Sequence, residues 1–192
     1  LVGAISGLSA PSQVVGFVGG MDIPLIHKFE SGYRQGVLSV CSSCRVLAAY
    51  AGTSSDAFKN PTKGKELALA QYGAGADVVF HAAGSTGLGV FEAARERSRR
   101  AIGVDADQWD EAPGYLLTSM IKRVDVSVYE VIRDLQAGRF ENGVRVFGLK
   151  ENGVDYAYDE PRRGMIAAPV REKVEALRKD IISGRITVEA EQ

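Results

Sequence analysis

The sequence is poor in several things that would have narrowed its function at once. It has two cysteines, two histidines and one tryptophan in 192 residues. Two cysteines cannot staple a disulfide-dense scaffold. No run of about 18 apolar residues occurs, so no segment reads as a membrane-spanning helix. Neither charge sign dominates: 23 Lys and Arg face 24 Asp and Glu, a formal net charge of −1. That balance excludes a basic nucleic-acid footprint as the main business of the chain and an acidic solvating tail. Hydrophobic residues make up 45% and charged residues 24%, an ordinary globular composition that argues against disorder. The first ten residues are apolar and small, with neither a Met nor a basic n-region. They read as the middle of a helix that begins before Leu1, not as a signal peptide, and the sequence is expected to be a fragment.

What is plentiful is glycine, 22 residues, above the average of about 7% and spread without low-complexity runs. Such glycines suit tight strand-to-helix turns. The organising signal is alternation of short apolar runs with helical patterns. Strands are predicted at Val14–Gly20, Arg45–Tyr50, Asp77–Ala83, Arg100–Asp105 and Tyr115–Met120. Helices are predicted at Pro24–Leu38, from Asn60-Pro61 to Tyr72, and at Leu88–Arg99. Near-continuous apolar strands alternating with helices imply an α/β fold, a parallel sheet with helices on both faces. In the first helix Leu25, Phe29, Gly32, Tyr33, Gly36 and Val37 are expected to face inward, Pro24 to take the first helical position and Asp22 to cap it.

Beyond residue 122 the pattern changes. Val124–Gln136 reads as a helix with Val124, Val128, Val131, Ile132 and Leu135 on its inner face. Val144–Leu149 and Val154–Tyr158 read as a β-hairpin. Arg171–Ser183 reads as an amphipathic helix with Val174, Leu177, Ile181 and Ile182 on one stripe and Gly184 just past its end.

Open parallel sheets bind ligands beyond the carboxyl ends of their strands. Three such ends carry polar or small residues: Gly19–Asp22, Phe80–Gly87 and Asp105–Gln108. An ionised Asp105 accepts two hydrogen bonds at the spacing of a vicinal diol, so a sugar is a natural partner. Alternatively it caps the following turn, and Asp107 is the structural member of the two. Phe80 reads either as a core ring or as a platform for a flat base. Lys122 reads either as a solvated lysine or as a reaching donor. His27 and His81 lack metal-ligand spacing, and His27 reads as solvated. Cys41 and Cys44 have the CxxC spacing, but they follow a helix where the redox motif follows a strand. They read as a local disulfide or as two inert thiols. Gly84-Ser85-Thr86-Gly87-Leu88-Gly89 opens a helix after a strand, and Asp105 lies 18 residues past Gly87. That leaves an NAD(P)-binding Rossmann-type oxidoreductase as an alternative, although the glycine order departs from G-x-G-x-x-G.

A resemblance covers nearly the whole chain. Residues 15–26 (Val-Gly-Phe-Val-Gly-Gly-Met-Asp-Ile-Pro-Leu-Ile), Lys63–Ala68, Phe80–Gly87, Ala101–Gln108, Thr118–Arg123, Gly148–Lys150 and Ile182–Gly184 strongly resemble the basic membrane protein family. These are purine-nucleoside-receptor-like lipoproteins, the substrate-binding components of ABC importers. The resemblance implies a type I periplasmic-binding-protein fold, in which two α/β lobes joined by three hinge strands close on a ligand. This chain would be mainly the C-terminal lobe, with the N-terminal lobe, signal peptide and lipid anchor preceding Leu1. Residues 1–12 would end an interlobe helix and hinge, and 13–122 would form the ligand-binding lobe. Residues 123–143 would pack on the other lobe, and 144–192 would supply a hinge hairpin and the C-terminal helix. By motif, Phe80 would stack on a base, while Asp105 and Lys122 would hold a ribose. Met21, Asp22 and Gly84 would line the same mouth. The resemblance also implies an extracytoplasmic, lipid-anchored location and a membrane permease as partner, with no catalysis and no cofactor. Freed apolar surface would favour self-association of the lone lobe. Cys41–Cys44 and the longer 55–61 stretch depart from the family pattern.

Overall fold

The structure is a computed structural model that describes residues 1–159 and 164–189. Its frame is one six-stranded sheet in the order β2-β1-β3-β4-β5-β6. The strands are β1 (Val14–Met21), β2 (Arg45–Gly52), β3 (Val78–Ala82), β4 (Arg100–Asp105), β5 (Leu116–Lys122) and β6 (Val154–Tyr156). The first five run parallel, and β6 adds an antiparallel edge. The α/β expectation is borne out, with β4 at its predicted bounds.

Alternation along the strands splits the core in two. One face collects Phe17, Val78, Phe80, Ala82, Ile102 and Val104. It is covered by α1 (Val2–Leu8), α2 (Pro24–Val40) and α6 (Ala168–Ile182), which contribute Ile5, Tyr33, Val37 and Val174. The other face collects Val18, Val79, Ala83, Ala101 and Leu116 beneath α3 (Pro61–Gly73) and α4 (Gly87–Arg97). Apolar helices on both faces are what let the strands be apolar throughout.

Local signals fix the helix ends. The Asn60 side chain accepts the Lys63 amide at 3.0 Å, and Pro61 occupies the first turn of α3. Ser98 ends α4 in the left-handed region at φ 49°, and Gly184 at φ 76° follows α6. Cys41 and Cys44 are disulfide-bonded across the turn from α2 to β2.

Five expectations need correction. In α2 the buried residues are Ile26, Ser31, Tyr33 and Val37, while Leu25 is 61% exposed. The helix cap is Ile23 with no side-chain bond, because the Asp22 carboxylate turns instead to His27 Nε2 at 2.6 Å. His27 is therefore paired, not merely solvated. The 144–158 hairpin does not form. A tight turn joins Gly148 and Gly153, yet only Val154–Tyr156 is a strand, and it pairs with β5. Val144 and Val146 stand exposed, with no neighbouring strand to pair against. Of the predicted Arg171–Ser183 stripe, Val174 is buried and Ile182 is exposed.

Helix α5 (Val124–Gln136) has its predicted bounds but buries no residue. Val124, Val128, Ile132 and Leu135 are all exposed. An apolar stripe of this kind on a surface drives association. Residues 1–192 alone are expected to self-associate as concentration rises, and Val128→Glu with Leu135→Glu to suppress it. Light scattering that finds a monodisperse monomer at high concentration for the unmodified chain would refute this.

Candidate functional site

The candidate mouth is the row of carboxyl ends of the parallel strands, where β1, β3, β4 and β5 terminate in Met21, Ala82, Asp105 and Lys122. At a strand spacing of about 4.8 Å, these four termini span roughly 14 Å.

At one end of this row is an ion pair. Lys122 Nζ lies 3.0 Å from an Asp105 carboxylate oxygen, with the side chains 45% and 52% exposed. Asp105 has φ 67°, a left-handed conformation uncommon outside glycine and Asn/Asp. The same Lys122 ammonium lies 6.0 Å from the centre of the Phe29 ring on α2. Asp105 thus does not cap the following turn. That task falls to Asp107, whose carboxylate accepts the Trp109 amide at 3.1 Å.

Phe80 lies deeper. The expected exposed platform meets a core ring: it is 1% exposed, edge-on to Phe17 at 5.7 Å and tilted against Tyr33 at 5.2 Å. The reason is alternation, which sends residues 78, 80 and 82 of β3 into the α1/α2 core. Phe80, Phe29 and Met120 border a largely apolar cavity of about 460 Å³ between α1, α2 and α6. Asp22 and Met21 sit at the β1 end, and the Asp22 amide donates to Gly52 O at 2.9 Å.

Sequence reasoning missed Phe58. A short 3₁₀ turn, Ser55–Phe58, lays this half-buried ring against Gly20, where a side chain would overlap it, and against Gly84. The stretch that departs from the family pattern therefore forms part of the mouth. It is pinned there by Ser85 Oγ to Phe58 O at 2.9 Å and Thr86 Oγ1 to Ala57 O at 2.7 Å. The available signal was the pair of glycines at two strand ends, each needing a large neighbour.

The Gly84–Gly89 turn also answers the dinucleotide alternative. Gly84 adopts φ 55° beneath Phe58. A methyl at Gly87 would overlap the His81 ring, and one at Gly89 would overlap the Pro61 carbonyl of α3. Gly87 and Gly89 serve internal packing, whereas a dinucleotide motif needs its second glycine open to a pyrophosphate.

His81 is fully buried behind the mouth. Its ring stands edge-on to Phe91 at 5.0 Å, and Nε2 meets Gln108 Oε1 at 3.1 Å. Burial, opposed by the Gln108 bond and by Asp105, pushes the imidazole pKa down to about 4. Among the described residues no group of His, Cys, Asp and Glu is arranged to hold a metal.

The family model described as Bmp, ABC transporter substrate-binding protein PnrA-like, matches residues 1–192. The chain belongs to the Bmp family. It is 36% identical over 205 residues to the CD4+ T-cell-stimulating antigen of Listeria monocytogenes, covering 98% of this chain and 56% of that protein. It is 35% identical over 206 residues to the ABC transporter nucleoside-binding protein BmpA of Lactococcus lactis, with the same two coverages. The chain thus spans about half the length of these curated relatives. The crystal structure of an ABC transporter solute-binding protein from Aeropyrum pernix superposes with a TM-score of 0.85 at 29% identity, covering 100% of this chain and 63% of that one. The fold is that of type I-like periplasmic solute-binding proteins.

A pH dependence follows from His81. The unfolded ring takes its proton near 6.5 and the folded one near 4. Between those values the unfolded state binds more protons, so stability is lost as pH falls from 6.5 toward 4, by up to about 3 kcal/mol. Above pH 6.5 the His81 contribution to stability is independent of pH. Denaturant melts from pH 7.5 to 4 should show a loss that His81→Gln reduces; equal slopes for both proteins would contradict the assignment.

Proposed function

We propose that this chain is the C-terminal lobe of the substrate-binding component of an ABC importer, and that its strand mouth holds the sugar of a nucleoside, a purine nucleoside first. The observation that carries this reading is the Asp105–Lys122 pair at the ends of β4 and β5. An exposed pair adds about 1 kcal/mol or less to folding, so its value to the molecule lies elsewhere. It offers a diol two acceptor oxygens and a donor on adjacent strands. A relative named as a nucleoside-binding protein supports the same reading.

In this reading Met21, Asp22 and Gly84 line the rest of the mouth, with Phe58 laid over Gly20 and Gly84. Phe80 underlies the pocket as a supporting ring, since its faces are closed within this lobe. The opposing wall belongs to a second lobe, and residues 123–143 pack against it. Ligand bridging the two lobes shifts an open–closed equilibrium, and the closed form docks on a membrane permease. The protein is placed outside the cytoplasm by a lipid anchor ahead of Leu1. The Cys41–Cys44 disulfide suits such an oxidising compartment.

The test is a thermal-shift and calorimetry screen of the full-length protein with inosine, guanosine, adenosine, cytidine and uridine. A nucleoside should raise the midpoint by about 2–4 °C per kcal/mol of binding. Asp105→Ala should weaken it about 10- to 150-fold, the loss of one charge-assisted bond. Residues 1–192 alone should bind poorly, having one wall and no enclosure. Stabilisation by NAD with no response to any nucleoside would overturn the reading.

A further inference from the structure

The left-handed turn that presents Asp105 is held from behind. Gln108 lies three residues on, and its side chain folds back across the end of β4. Its Oε1 accepts the Val104 amide at 2.8 Å, while the Gln108 backbone N–H donates to Ser119 Oγ on β5 at 3.0 Å. A side chain at Gly103 would collide with both Gln108 and Ser119, so this fold-back needs the glycine. The same Oε1 meets His81 Nε2 at 3.1 Å.

The chemistry of that contact fixes the imidazole. An oxygen that already accepts the Val104 N–H is an acceptor, so His81 Nε2 carries the hydrogen and donates. Nδ1 is then a bare lone pair. It is buried and has no hydrogen-bond partner among the described residues, a costly arrangement that calls for an explanation. The groups around the ring leave it no alternative. Gly87 and Phe91 of α4 cage it, and Val18 of β1 is its neighbour across the sheet. These groups are uncharged, as are Gln108 and the Ser119 hydroxyl behind it. Asp105 is the charged group whose field acts on the ring.

We infer that His81 and Gln108 are positioning residues for ligand binding: the neutral imidazole donates through Nε2 to Gln108, which locks the β4 turn and aims the Asp105 carboxylate at the ligand. This rests on the reading of Asp105 as the ligand carboxylate. Because the His81 ring bonds the Gln108 oxygen that also holds the Val104 amide, removing either side chain should release the turn. Restoring an amide N–H at the imidazole position should hold it.

The experiment uses the full-length protein and inosine, with adenosine in parallel. His81→Leu and Gln108→Leu are each expected to weaken binding at pH 7 by about tenfold or more. His81→Gln, whose amide can donate where Nε2 does, should stay within about threefold of wild type. A two-bond proton–nitrogen spectrum of the wild-type imidazole should show the neutral Nε2–H tautomer at pH 7. Its signals should move on adding inosine, and Asp105→Asn should abolish that movement. If His81→Leu binds inosine like wild type while Asp105→Asn does not, the positioning role fails and the nucleoside reading stands. If Asp105→Asn also binds normally, or wild type binds neither nucleoside, the nucleoside reading fails and this inference falls with it. Should His81→Leu not fold, the spectrum still decides: an Nδ1–H tautomer or an imidazolium at pH 7 overturns the inference.

Discussion

A carboxylate held at the end of a parallel strand, in a backbone conformation that nonglycine residues seldom adopt, is the constraint around which this end of the sheet is arranged. Asp105 reaches that conformation because β4 stops there and the chain folds back onto itself. Lys122 meets it from the next strand, and the ammonium leans over Phe29 of α2. Three elements distant in sequence thus converge on one charged group. The covered sheet beneath supplies the rigidity that such a convergence needs. Its two cores are separate, so the α1/α2/α6 side and the α3/α4 side brace the same strand ends from opposite directions.

The parts that sequence revealed are those governed by local physics. An apolar run with helices on either side has one stable solution, and β4 and α5 emerge with their predicted bounds. Asn60-Pro61 announces the start of α3 through a bond only three residues long. Asp105 and Lys122 were legible because both close apolar strands, where a charge has a reason to stand. Phe80 was legible as a strand residue, and its depth follows from the period of two.

The parts that stayed hidden depend on partners far along the chain. Leu25 and Ile26 are equally apolar neighbours, and only the angle at which α2 docks decides that Ile26 goes inside. Val144 and Val146 have strand-forming character, but pairing requires a neighbour that residues 144–149 do not find here. Phe58 belongs to the mouth because Gly20 and Gly84 make room for it, a relation spread over more than sixty residues. His81 showed no metal spacing, and its attachment to Gln108 appears only once β3 and β4 lie side by side.

The glycine contacts between α3 and the start of α4 carry one more implication. Gly64 lies against the Thr86 carbonyl and Gly89 against that of Pro61; Thr86 in turn ties down the segment bearing Phe58. Backbone is thereby fastened to backbone directly behind the mouth. A wall so immobilised has little conformational entropy left to surrender on any contact made there, so an ordering penalty would fall on segments outside this braced region.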